Sequence, residues 1–237
     1  MDSNLTINFL LMKQFLAVFF LLWAFSSHGQ LVLNFNDRDL SRWEQFPEGR
    51  WGIAEGPDAS SGCILTHIYD HEDASRDRIA YFYPVSLDDT ALCWRFQVRY
   101  DRDPSGTNNW GFFLVADQGP AQMHPSGSVN GYLVGVNYSG SDDSVRLWKV
   151  VSGAGYELLN TGYNWQQRIE PGQMTGLEVT RSPDHLWTVK IDPDGGFDNL
   201  LEIGTVVDST WKDQQYVGFY YEYTATGDRS LAVDDVY

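Results

Sequence analysis

Between Leu92 and Tyr100 the chain alternates strictly: Leu92, Trp94, Phe96, Val98 and Tyr100 are apolar, with Cys93, Arg95, Gln97 and Arg99 set between them. A period of two over such a run marks a strand buried on one face and wetted on the other. Runs of the same kind recur at 78–84, 110–116, 131–138, 144–151, 175–181, 186–191, 200–206, 216–223 and 231–237. Turn signals separate them, among them Asp103-Pro104-Ser105-Gly106, Ser152-Gly153-Ala154-Gly155, Ser182-Pro183-Asp184 and Asp192-Pro193-Asp194-Gly195-Gly196. After residue 29 no stretch keeps the three-and-four apolar spacing of a helix. Many short strands without helical crossovers predict an all-β, antiparallel two-sheet sandwich. Aromatic residues at 15%, with 9 Trp and 13 Tyr, supply its core.

Charge excludes one class of partner. Asp and Glu number 32 against 16 Lys and Arg, a net charge of −16. Phosphate-backbone affinity comes from Lys and Arg displacing counterions, so a nucleic-acid partner is not expected.

The first thirty residues read as an export signal. From Met12, Lys13 supplies a basic start, 15–25 an apolar run, and Ser27 and Gly29 the small residues before a cut placed ahead of Gln30. That run is about half of the ~20 residues that a spanning helix needs. The expected organisation is a signal peptide at 1–29 and a single β-sandwich domain at 30–237, secreted or at the cell surface, with no membrane span after cleavage. The end at Ala232-Val233-Asp234-Asp235-Val236-Tyr237 reads as a strand in progress, so we expect this to be the N-terminal part of a longer protein carrying other modules. In an oxidising compartment Cys63 and Cys93 have two open readings, a disulfide or two separately packed thiols. Asn137-Tyr138-Ser139 matches the glycan-acceptor pattern.

Four segments carry a family resemblance. The opening Leu33-Asn34-Phe35-Asn36-Asp37-Arg38-Asp39-Leu40-Ser41-Arg42-Trp43, the stretch from Asn130-Gly131-Tyr132-Leu133-Val134 to Leu147, the pair Leu177-Glu178-Val179-Thr180-Arg181 and Trp187-Thr188-Val189, and Val217-Gly218-Phe219-Tyr220 with Asp234-Asp235-Val236-Tyr237 follow one another in order. Together they resemble the concanavalin A-like, laminin-G or lectin-like jelly-roll domain of exported multi-domain Bacteroidetes proteins, a domain often found beside lamin-tail domains. The resemblance implies a lectin/glucanase-type jelly roll and brings no catalytic residue set. It also implies that a structural calcium near the chain termini would take Asp37, Asp39 and Asp234; the alternative use of these carboxylates is turn capping.

Laminarinase-type hydrolases on such a sandwich use paired carboxylates on one strand face, and no Glu-x-Asp-x-x-Glu spacing occurs here. Gly127-Ser128-Val129-Asn130-Gly131 lacks the spacing and the following helix of a nucleophile elbow. His67 and His71 would share a helix face but stand ~13 Å apart in an extended segment. Glycan binding needs rings that stack on sugar faces and polar groups for hydroxyls. The nominees are Gln97 and Arg99 on one strand, Tyr216, Tyr220 and Glu222 on another, and Trp110 as a rim residue after the polar loop 101–109. The expected function is a secreted or surface noncatalytic module for carbohydrate or matrix binding and adhesion, with a polysaccharide or cell-surface glycan as partner. A laminarinase-like hydrolase and a structural spacer are the alternatives.

Overall fold

The computed structural model describes residues 30–56, 62–70, 73–88 and 91–237, so the export signal expected at 1–29 and His71 lie outside the described residues. Fourteen strands and one short helix are described: β1 (Trp43–Phe46), β2 (Trp51–Glu55), β3 (Cys63–His67), β4 (Ser75–Ser86), β5 (Leu92–Tyr100), β6 (Asn109–Ala116), β7 (Gly131–Val136), β8 (Ser144–Val151), β9 (Ala154–Asn164), α1 (Trp165–Arg168), β10 (Met174–Arg181), β11 (Leu186–Asp192), β12 (Leu201–Val207), β13 (Asp213–Tyr223) and β14 (Leu231–Asp234). They form two seven-stranded sheets, a front sheet in the order β1-β4-β13-β6-β7-β8-β9 and a back sheet in the order β12-β11-β10-β5-β14-β3-β2. Every described pairing is antiparallel. The expected all-β two-sheet sandwich is therefore present, and residues Val32–Tyr237 make up one unit. Among the described residues no helix is long and apolar enough to cross a membrane.

The alternation of β5 decides which of its faces is inside. Trp94, Phe96, Val98 and Tyr100 are buried, whereas Cys93 and Arg95 are exposed. Phe96 meets Phe112 of β6 at 4.6 Å, and Phe112 stacks on Phe219 of β13 at 4.6 Å. Trp94 stacks on Trp187 of β11 at 5.6 Å. A polar link between the sheets runs through this core. His67 of the back sheet lies with Nε2 2.9 Å from Asp77 Oδ2 of the front sheet, and Tyr223 donates to the same oxygen at 2.7 Å. The backbone N–H of Arg229 donates to His67 Nδ1, so the imidazole proton sits on Nε2 and is given to Asp77. Burial alone would raise the Asp77 carboxyl, but the bonds from His67, Tyr223 and Ser75 outweigh it and hold the group below its usual range.

The front sheet has a second core on its outer face. Strands β6 and β7 are buried on both sides, which matches their nearly continuous apolar sequence. Ala80, Phe113, Leu133, Trp148 and Tyr220 form the floor, and Met123 and Val129 from the β6–β7 connection lie over it. This connection, a strap over 117–130, is closed at its base by three hydrogen bonds between Asp117 and Asn130, of 3.0, 2.7 and 2.7 Å. Arg78 of β4, 5% exposed, clamps it by donating to Pro120 O at 3.0 Å and Ala121 O at 3.4 Å.

The two cysteines are free thiols, Cys63 buried and Cys93 exposed. They lie on β3 and β5, which flank β14 on opposite sides. Two strand spacings of ~4.8 Å exceed the reach of a disulfide, whose Cα atoms stand at most about 7 Å apart. Asn137 is 2% exposed, has φ +58°, and gives its amide to Asp143 Oδ1 at 2.6 Å, so the acceptor pattern there is closed to a glycan in the folded protein.

Candidate functional site

The nominated residues fall in three different places. Trp110 is fully buried between the sheets, its ring 5.0 Å from Trp165 and 6.5 Å from Phe96, so it is a core residue and not a rim residue. Its register opposite Tyr221 of β13 and Val136 of β7 turns Trp110 inward. Gln97 and Arg99 lie on the outer face of the back sheet, where Gln97 donates to Asp235 Oδ2 at 2.8 Å and Arg99 Nε lies 3.0 Å from Asp101 Oδ1. Tyr216, Tyr220 and Glu222 alternate along β13 with the inward Val217, Phe219 and Tyr221, and so face out of the front sheet. These three share a face with one another and not with Gln97 or Arg99.

The calcium set does not assemble. Asp37 Oδ1 accepts the Asp39 N–H at 3.1 Å, and Asp39 accepts the Ser41 N–H at 2.7 Å and its hydroxyl at 2.9 Å. Both are exposed turn-capping residues. Asp234 is buried, accepts the Asp235 N–H at 2.8 Å, and is pushed up to about 7 by burial and then by the charge of Asp235. Among the described residues no group of three or more His, Cys, Asp or Glu is placed to hold a metal. The carboxylates expected to bind calcium therefore do not fit it.

What the front face does build is a polar cluster around Glu222, beside the strap. Glu222 accepts from Arg76 Nε at 2.9 Å, from the Tyr220 hydroxyl at 2.8 Å and from Asn109 Nδ2 at 3.2 Å. The register explains the convergence, because Glu222 lies opposite Arg76 on one side and Asn109 on the other. Tyr220 is raised well above its ordinary value, by burial first and then by Glu222. Burial works to lower Arg76, but the charges of Tyr220 and Glu222 outweigh it and the net shift is upward. Asn109 is fully buried, and its Oδ1 has no hydrogen-bond partner. A buried amide oxygen left unpaired costs ~1–3 kcal/mol.

One residue row further along the sheet the floor narrows to backbone. Tyr220, Gly111, Gly135 and Arg146 stand in register across β13, β6, β7 and β8. A Cβ at Gly135 would lie 2.3 Å from Trp110 O, so only glycine permits this strand approach. At the far side Arg146 lies 2.7 Å from both Asp142 Oδ2 and Glu157 Oε2. Burial would raise Asp142, but the Ser144 N–H, Arg146 and Asn160 together lower it. A carboxyl held down is unsuited to donating a proton to a leaving group. Glu222 of β13 is three strands from Arg146 of β8 and four from Glu157 of β9, ~14–19 Å, beyond the separation of a glycosidase pair.

Arg76, Asn109, Arg146, Asp142 and Glu157 were not nominated from the sequence. The usable signals were the glycines inside β6 and β7, which mark close backbone approach, and Asn109 at the mouth of an apolar strand.

No protein-family model matches the chain, and no curated protein matches it. Solved structures do. The globular domain of T. cruzi calreticulin aligns with a TM-score of 0.58 at 12% identity, covering 87% of this chain and 86% of that one. A legume lectin-like domain from Entamoeba histolytica aligns at 0.51 and 11%, covering 83% and 88%. The exoplasmic/lumenal domain of VIP36 in its Ca2+/Man-bound form aligns at 0.53 and 8%, covering 83% and 82%. These likenesses establish the fold as the legume-lectin-like, concanavalin A-like jelly roll.

Proposed function

We infer that the protein is an exported, noncatalytic module that binds a neutral glycan through the Glu222 end of the front face. The observation that carries this reading is the cluster itself. Glu222 offers a carboxylate acceptor to sugar hydroxyls, Arg76 is a half-open donor beside it, and the buried Asn109 Oδ1 lacks a partner. Directional polar groups of this kind fix the orientation of a hydroxyl-rich ligand. The likeness to VIP36 in its Ca2+/Man-bound form supports a sugar as ligand, although the metal residues expected here do not assemble. A net charge of −16 repels anionic polysaccharides and leaves neutral ones. In the same reading, 1–29 directs export and 30–237 is one binding domain.

Thermal melting of the purified protein with laminarin, galactomannan, xylan and hydroxyethylcellulose tests the reading, with calcium and chelator as separate arms. A ligand at a hundred times its Kd stabilises by ~2.7 kcal/mol, which is a rise of about 5–10 °C for a chain of this size. The rise should appear with one neutral polymer and shrink in Glu222→Gln. An unchanged melting point with all four polymers would refute the proposal.

A further inference from the structure

The outer face of the front sheet has a second open end, on the opposite side of the strap. Phe82 of β4 and Tyr216 of β13 stand directly across from each other, with ring centroids 5.3 Å apart and planes at 75°. Phe82 is 49% exposed, and Tyr216 is half-buried against the second core. Glu44 of β1 faces the same way and is exposed. Its carboxylate is close enough that, after burial, it is the second cause of the raised Tyr216 hydroxyl.

The strap passes this spot at Gly119. A Cβ there would lie 3.1 Å from Glu44 Oε2 and 3.4 Å from Tyr216 Cζ. Gly119 does not have a positive φ, so its backbone is one that any residue adopts. What the glycine contributes is a space of about one carbon atom between the strap backbone and the edge of the Tyr216 ring and the Glu44 carboxylate, which any side chain would fill.

We propose that Phe82, Tyr216, Glu44 and the gap at Gly119 form a stacking subsite for one pyranose ring of a neutral polysaccharide. The proposal rests on the glycan reading of the Glu222 end and extends it. A pyranose has an apolar C–H face to lie on an aromatic ring and a rim of hydroxyls to donate to a carboxylate. An acidic sugar would meet Glu44 as a like charge. Two rings beside a carboxylate are also too small for a stable protein interface, which buries ~800 Å² per partner. Tyr216 and Glu222 are six residues apart on one strand, ~20 Å at ~3.3 Å per residue. A ligand that reaches both is a chain of several sugars, so the protein recognises the body of a polymer and not a single terminal sugar.

Affinity electrophoresis in native gels containing laminarin, galactomannan, xylan or hydroxyethylcellulose tests this, with circular dichroism melting to show that each variant folds. The wild type should be retarded by one of the four. Phe82→Ala, which removes the ring, and Gly119→Leu, which covers the gap, should each weaken retardation by about fivefold to tenfold, while Phe82→Tyr keeps it. Binding of a disaccharide of the same polymer should fall in Glu222→Gln and stay level in Phe82→Ala. If Phe82→Ala and Gly119→Leu bind the polymer as the wild type does and Glu222→Gln does not, the subsite is wrong and the glycan reading stands. If no protein is retarded by any of the four polymers, both are wrong.

Discussion

The two outer faces of this sandwich follow opposite rules. On the back sheet Glu178 of β10 lies 2.6 Å from Arg95 of β5 and 2.9 Å from Lys190 of β11, while Gln97 and Arg99 of β5 pair with Asp235 and Asp101. That face has no roof, and its charged side chains are paired with one another. On the front sheet the corresponding face is roofed by the strap, and its centre is as apolar as the interior. A covered face leaves polar groups only at its margins, and there they are partly desolvated and organised by the register. This is why the candidate site belongs at the ends of the front face: the back face offers charges already paired with each other.

The largest expected effect comes from releasing the roof. Arg78→Ala deletes a buried cation that holds two strap carbonyls, and it should cost ~2–4 kcal/mol. Native-state hydrogen exchange should show protection lost at 117–130 while the amides of β5 and β10 keep theirs. Equal loss in both sheets would mean that the roof is not a separate unit. Next comes Tyr220→Phe, which removes a donor from Glu222 and should cost about 1 kcal/mol by denaturant melting. A variant as stable as the wild type would show that the Glu222 cluster is not held from beneath.

A pH series distinguishes the faces in another way. The Asp234 carboxyl, on the back sheet opposite Gln97, titrates near 7 when folded and near 3.8 when unfolded. A raised acid binds its proton more tightly in the native state, so stability is lost as pH rises from about 4 to about 7. Asp234→Asn should therefore melt a few degrees higher than the wild type at pH 8 and at the same temperature at pH 4. A gap between the two proteins that does not change with pH would contradict this. The smallest effect belongs to the more open Arg99–Asp101 pair of the back face, where Asp101→Asn should cost less than about 1 kcal/mol and less still in high salt. A loss as large as that of Arg78→Ala would erase the contrast between the faces.

Some of this was legible in the residues. The alternation of β5 told which face was wet, and the alternation of β13 put Tyr216, Tyr220 and Glu222 on one side together. The strands that were not foreseen are short or marginal. β1, β2 and β3 have four or five residues each, and β9 is an edge strand whose pattern is mostly half-exposed. The roof was hidden because 117–130 reads as a polar loop, with Met123 and Val129 as its main apolar residues. Trp110 was misplaced because it was read as the end of the polar loop, whereas its pairing puts it in the same row as the inward Tyr221 and the buried Val136. The acidic residues near the chain ends suited calcium by type, but backbone N–H groups of their own turns occupy them.

The most direct test is an amide-resolved NMR titration of the protein with soluble laminarin or galactomannan oligosaccharides. Shifts should gather at Asn109, Gly111 and Gly135 and at the side chains of Arg76 and Asn109, leaving Arg95, Gln97, Arg99 and Glu178 unmoved. Shifts gathered instead on that back-sheet set, or none with either sugar, would contradict the assignment of binding to the front face.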